Sequence, residues 1–264
     1  MIPPAPPPNP PTAPPPIPPP AHGLLLGTGV LVTAAAGSGI GSATAQRCLA
    51  EGARLVIADK HERRLRETAE ELGVLGIVAD VTDESSVQAM IDGAAEALGG
   101  IDVVVNNAGL GGTAEVHEMT DAQWSLVLDV TLTGTFRVTR AALAHMYARG
   151  AGVIVNNASV LGWRAQAGQA HYAAAKAGVM AFTRCTAIEA APRGVRINAV
   201  APSLAMHANL AKVTSPDLLA ELTSREAFGR AAEPWEIANV IVFLASRYSS
   251  YMTGEVVSVS SQHP

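Results

Sequence analysis

The chain has 264 residues, 48% of them hydrophobic and 16% charged, with a formal net charge of −5 and a pI near 5.8, a size and composition suited to one domain with a large buried core. Its 18 Lys and Arg are scattered along the chain, which excludes the basic stripe a nucleic-acid binder presents to phosphates, and no apolar run approaches the ~20 residues that span a bilayer. Cys48 and Cys185 fall in apolar helical patterns and make no disulfide framework, and the amino terminus lacks a signal-peptide pattern, so the expectation is a soluble protein of the reducing cytoplasm.

Thirteen of the first twenty residues are proline. Proline fixes φ and removes the amide donor, so residues 1–22 are expected to form an extended, flexible tail outside a single domain at 23–264. Its PxxP strings leave open a docking role as well as a plain tail.

From Gly29 onward, short β-branched runs alternate with amphipathic stretches. Strands are predicted at 29–33, 54–58, 76–79, 102–105, 153–156, 195–200 and 255–259, and helices at about 40–51, 61–72, 84–98, 120–148, 170–190 and 233–246. Alternation of this kind gives parallel strands joined by crossover helices, and the continuous apolar character of the strands places helices on both faces. The predicted fold class is α/β, a Rossmann-type doubly wound seven-stranded parallel sheet that binds ligands at the carboxyl ends of its strands.

The first strand runs into TAAAGSGIG at 33–41 and then a good helix. Glycines at 37, 39 and 41 let the backbone approach a pyrophosphate, Ser38 offers a hydroxyl, and the helix start offers amides and a positive dipole end. A plain tight turn is the alternative. The second strand ends at Asp59, where a carboxylate can accept both hydrogen bonds of an adenosine ribose diol and repel a 2′-phosphate, favouring NAD(H) over NADP(H). Lys60 and His61 follow and soften that preference, and Asp59 can also be read as a helix cap.

HYAAAK at 171–176 sets Tyr172 and Lys176 four apart on one helix face. An ammonium beside a phenol favours the phenolate and lowers its pKa toward the working range, which suits proton exchange with an alcohol or carbonyl. Ser159, thirteen residues upstream of Tyr172, can reach the same substrate oxygen.

With these residues the chain resembles the classical short-chain dehydrogenase/reductase family over about residues 23–264. NNAG at 106–109 after the fourth strand and Asp80-Val81 after the third strengthen the likeness. The resemblance implies Ser159 positioning the substrate oxygen, Tyr172 as proton donor or acceptor, and Lys176 on the nicotinamide ribose. It implies cofactor contacts from Thr33, Ala35, Gly37, Ser38, Gly39, Ile40, Asp59, Asp80, Val81, Asn107, Ala108 and Gly109. Pro202 and the backbone near Ala205, with Asn198 before them, correspond to the segment that seats the nicotinamide carboxamide.

The sequence leaves the family pattern in four places. The phosphate loop is one residue longer and begins with alanine at 34–36 instead of glycine. Thr131 stands where an asparagine usually kinks the helix and holds a relay water, and is read here as its replacement or as a packing residue. Ser203-Leu204-Ala205-Met206-His207 lacks the usual glycine, with His207 in place of a threonine, and VSVSSQHP replaces a closing Asp-Gly-Gly.

These departures resemble an actinobacterial steroid-ring-degradation branch acting on coenzyme A thioesters of alicyclic acids. That resemblance implies oxidation of a ring secondary alcohol to a ketone, with Ser159 and His207 toward the substrate and Leu161, Trp163 and Met206 read either as an apolar pocket for the ring or as core or subunit contacts. It also implies a homotetramer or homodimer built on the helices at 120–148 and 170–190. A 3-oxoacyl-thioester reductase, a non-catalytic dinucleotide-sensing protein and an adaptor recruited by its tail are the rivals. No metal is expected, since His171, His207 and His263 lack ligand spacing.

Overall fold

The computed structural model describes residues 16–206 and 216–261. Seven strands form one sheet: β1 (Gly29–Thr33), β2 (Arg54–Asp59), β3 (Leu75–Val78), β4 (Val103–Asn106), β5 (Gly152–Asn157), β6 (Val195–Pro202) and β7 (Val256–Val259). Their order is β3-β2-β1-β4-β5-β6-β7, with every pairing parallel. The order reverses between β1 and β4, so a crevice for a ligand opens there at the carboxyl ends.

The helices are α1 (Ile40–Ala50), α2 (Glu62–Leu72), α3 (Glu84–Leu98), α4 (Asp121–Leu128), α5 (Gly134–Arg149), α6 (Ala170–Ala190), α7 (Pro216–Ser224) and α8 (Pro234–Ala245). Val30 and Val32 of β1 pack with α1, α2 and α8, while Leu31 between them packs with α3, α5 and α6. Successive side chains leave opposite faces, so a strand covered on both sides is apolar throughout.

Two expectations change. The pattern at 120–148 is not one helix: a π-helical turn at Asp129–Thr133 separates α4 from α5, with the Gly134 amide bonded to the Asp129 carbonyl. A Cβ on Gly134 would lie 2.7 Å from Val81, so glycine lets the chain pass close to Val81 where the turn ends. The short α7 was not predicted. Residues 1–15 of the expected tail lie outside the described residues; within its last part the Arg47 guanidinium donates to the Pro19 and Pro20 carbonyls at 2.7 and 3.2 Å. Buried Glu51 accepts the His22 and Leu24 amides, both at 2.9 Å. Proline lacks the donor but keeps its acceptor. No helix among the described residues is long and apolar enough to cross a membrane.

Candidate active site

Ser159, from the turn after β5, meets Tyr172 and Lys176 of α6 at the carboxyl end of β5. Ser159 begins the short 3₁₀ turn Val160–Gly162, and its Oγ accepts the Leu161 amide at 3.2 Å. Tyr172 lies in the first turn of α6 and hydrogen-bonds the Ser159 side chain. One turn on, buried Lys176 donates to the Asn157 carbonyl at 2.5 Å, with its Nζ 5.6 Å from the centroid of the Tyr172 ring.

Burial raises the Tyr172 phenol above its ordinary value, and the Ser159 bond pulls the other way. Lys176 alone was expected to lower it. The ammonium lies over the ring, and desolvation is the largest effect on the phenol. Burial also brings Lys176 from 10.5 down to about 8.

Glycines keep this corner open. A Cβ on Gly109 would lie 3.3 Å from Lys176 Nζ, and one on Gly111 3.8 Å from the Tyr172 ring. Thr131, fully buried in the π-helical turn, holds the same loop: its Oγ1 accepts the Leu110 amide at 3.0 Å and donates to the Leu110 carbonyl at 3.2 Å.

At the other side of the crevice, Ala34 has φ of 50°, the left-handed conformation that glycine adopts freely. The alanine thus takes the backbone shape expected of the missing glycine. A Cβ on Gly41 would lie 2.3 Å from the Ala34 carbonyl oxygen and 2.4 Å from Asn107 Nδ2. Asn107 bonds the Thr33 and Ala34 carbonyls through Nδ2 at 3.2 and 3.0 Å, and the Thr33 hydroxyl accepts the Asn107 and Ala108 amides. Thr33 and Ala35 are buried; Gly37 and Ser38 are exposed, with Gly39 and Ile40 half-buried.

Asp59, at the end of β2, accepts the Ala36 amide at 3.3 Å and the His61 amide at 2.9 Å, and His61 Nδ1 is 3.1 Å away. It joins the phosphate-side turn to the approach of α2 and does not cap that helix, whose N-cap is His61. Asp80 accepts the Thr82 amide and hydroxyl at 2.9 and 2.8 Å, and these bonds, the amide's first, hold its carboxyl below the usual range despite partial burial. Val81 is buried against the start of α5.

Two features of the turn fit a dinucleotide. Nothing lies within 4 Å of a Cβ placed on Gly37 or Gly39, and Gly39 is the N-cap of α1, with no side-chain cap on the helix amides. Unpaired amides beside open space suit a pyrophosphate.

Pro202 ends β6, and in the segment after it the Met206 amide donates to the Ala232 carbonyl at 2.9 Å across a bridge between Ala205 and Ala232. Leu161 and Met206 are half-buried and Trp163 is exposed; His207 lies outside the described residues. Asn157 was missed by sequence reasoning, though it receives Lys176 and donates through Nδ2 to Asn107 Oδ1 at 2.9 Å. A signal existed: NNA recurs at 106–108 and 156–158, and the two strand ends pair Asn106 with Asn156. Those two are bonded side by side at 2.9 Å, with Thr139 and Thr183 closing the buried ladder at 2.9 Å each.

Residues 34–261 match the family model described as enoyl-(acyl carrier protein) reductase. The chain is 64% identical over 250 residues to the (5R,7aS)-5-hydroxy-7a-methyl-1-oxo-2,3,5,6,7,7a-hexahydro-1H-indene-carboxyl-CoA reductase of Mycobacterium tuberculosis, covering 92% of this chain and 95% of that protein. It is 42% identical over 237 residues to the cis-4-hydroxycyclohexanecarboxylate dehydrogenase of Sinomonas cyclohexanicum, covering 87% and 94%. A crystal structure of a short chain dehydrogenase from Mycobacterium smegmatis superposes with a TM-score of 0.85 at 57% identity, covering 95% of this chain and 98% of that one.

Proposed function

The chain belongs to the short-chain dehydrogenase/reductase family, an oxidoreductase acting on hydroxyl and ketone groups, and from that premise we propose that it is an NAD-dependent dehydrogenase. Its substrate in this reading is a coenzyme A thioester of an alicyclic ring acid derived from a steroid, whose secondary alcohol it interconverts with a ketone. The observation that carries the reading is the Ser159, Tyr172 and Lys176 cluster beside a turn shaped for a dinucleotide. The indene-carboxyl-CoA and cyclohexanecarboxylate named for two relatives support the ring acid.

When bound, the nicotinamide accepts or returns the hydride. The protein's part is to hold the substrate oxygen and move its proton. Ser159 Oγ, buried and steadied by its own turn, donates to that oxygen. Tyr172 then takes the alcohol proton on oxidation or supplies one on reduction. Lys176 holds positive charge beside the phenol and donates toward the cofactor ribose, lowering the cost of the phenolate in a site where burial opposes it. Alcohol oxidation is the favoured direction, because Asp59 stands where a ribose diol is read and a 2′-phosphate repelled. Leu161, Trp163 and Met206 are the apolar groups available to the ring. Exposed Trp124, Phe136 and Ile188 on α4 to α6 support a homo-oligomer through those helices.

The test is absorbance at 340 nm with NAD and NADP against a panel of alicyclic hydroxyacyl-CoA thioesters, free hydroxy acids and 3-oxoacyl thioesters. Fastest turnover with NAD and a ring thioester is expected. Preference for NADPH with a linear 3-oxoacyl thioester replaces this reading by the biosynthetic reductase, and no turnover with any pair favours a dinucleotide-sensing protein.

A further inference from the structure

Two of the places where the sequence leaves the family pattern, the segment after β6 and the last residues of the chain, meet on one buried carboxylate. Glu226 lies just beyond α7 and is 4% exposed. One of its oxygens accepts the Leu204 amide at 3.3 Å. The other accepts the Ser203 hydroxyl at 3.2 Å and the Ser261 hydroxyl at 2.8 Å. The Ala227 amide donates to the Ser261 carbonyl at 2.9 Å, so main chain and side chain tie the same two segments.

The far side of the segment is braced separately. The Ala232 amide donates to the Leu204 carbonyl at 2.8 Å. The Arg230 guanidinium fixes that neighbouring stretch through both Glu236 oxygens at 2.6 and 2.9 Å and the Ala231 carbonyl at 3.0 Å.

Burying a carboxylate is costly unless its oxygens are bonded, and an apolar residue would fill the space more cheaply. What the carboxylate adds is direction: donors that include Ser203, Leu204 and Ser261, from two segments, converge on two oxygens, and each donor fixes its own chain. We propose that Glu226 is a positioning residue for the Pro202–Met206 segment, and that Ser261 makes the carboxyl-terminal end part of the same brace. The serine that replaces the usual glycine near the terminus and the Ser203-Leu204 sequence after Pro202 are then two halves of one device. It sets the distance of the Ala205 backbone from the nicotinamide end of the cofactor. The inference rests on the cofactor reading given above, which seats the carboxamide at this segment.

The test is NADH fluorescence titration of the full chain, read with the melting temperature and, on a substrate from the panel, KM and kcat separately. Glu226→Leu should weaken NADH about tenfold, the effect of unpairing an amide and two hydroxyls. Glu226→Gln should recover most of that affinity, since its carbonyl serves Leu204 and the serine hydroxyls can turn to accept from its amide. Ser203→Ala and Ser261→Ala should each weaken NADH and combine less than additively, because they share one oxygen. A Glu226→Leu protein that melts lower yet keeps parental NADH affinity and parental KM and kcat overturns the proposal. Should that variant not fold, the two serine variants decide, and parental NADH affinity in both overturns it. If the parent itself binds no NADH, the cofactor reading fails first and takes this inference with it.

Discussion

Beside β1, the turn into α1 owes its shape to main-chain geometry, a left-handed Ala34, an amide-lined helix start and a Gly41 pressed against a carbonyl. Beside β5, the reactive groups are side chains placed by helix spacing and by one strand-end carbonyl. In the proposed function the first region binds the cofactor and the second reacts on what the first holds. A substitution beside β1 should therefore appear in binding, and one beside β5 in turnover. Substitutions that break this division would show the two regions to be one unit.

The largest effect is expected beside β5. Tyr172→Phe removes the proposed proton carrier, and turnover should fall by roughly 10²- to 10⁴-fold while NADH affinity stays near parental. Parental turnover would mean that Tyr172 is a helix residue with a suggestive neighbour. Lys176 carries the next effect, on stability. Its folded pKa near 8 lies below the ordinary 10.5, so between those values the unfolded chain binds more protons than the folded one. Stability contributed through this group therefore rises with pH across that window, and burial of the charged form weakens the fold below it. Relative to Lys176→Met, the parent should gain on the order of 3 kcal/mol between pH 7.5 and 10.5, read by urea denaturation at both. A constant difference would place the ammonium in contact with more solvent or charge than its burial indicates.

The region beside β1 comes next. Gly41→Ala pushes a methyl into backbone, which cannot yield as a side-chain tip can, and overpacking of about 1–3 kcal/mol should weaken NADH roughly 10- to 100-fold. The rate at saturating cofactor should stay within a few-fold of parental. Asp59→Ala should remove an NAD preference of about tenfold, measured by titrating NADH against NADPH, because the carboxylate no longer opposes a 2′-phosphate. Retained discrimination would pass the role to Lys60 or His61.

The same division explains what could be read in advance. Continuous apolar runs and period-3.6 patterns put all seven strands, and the predicted helices other than the one at 120–148, within a residue or two, because burial on both faces leaves a continuous apolar run in each strand. Tyr172 and Lys176 were legible because helix spacing places four-apart residues together. Ser159 was legible because a strand end is where this architecture gathers its ligand groups. The π-helical turn was not: widening by one residue leaves no mark in an apolar pattern that continues through it. Asn157 was missed because its decisive group is a carbonyl, which every residue has. The left-handed Ala34 could be flagged as an absent glycine but not given a conformation, since the fixing contacts come from Asn107, more than seventy residues on.

Thr131 stands between the two regions and gives the smallest and most discriminating effect. Its hydroxyl accepts the Leu110 amide and donates to the Leu110 carbonyl, and in the proposed function it acts through that loop. What it holds is the loop on which Gly109 faces Lys176 and Gly111 faces Tyr172. Thr131→Val keeps the shape and unpairs the Leu110 amide and carbonyl, a loss of about 1–2 kcal/mol that should slow turnover roughly 3- to 10-fold. Thr131→Ser, which keeps the hydroxyl, should recover most of the rate. Because the loop and not a proton is disturbed, the pH-rate profile of Thr131→Val should keep the parental shape at lower height. A moved limb would instead put Thr131 in the proton path, joining the loop after β4 to the chemistry beside β5, and full parental turnover would leave it as packing for the π-helical turn.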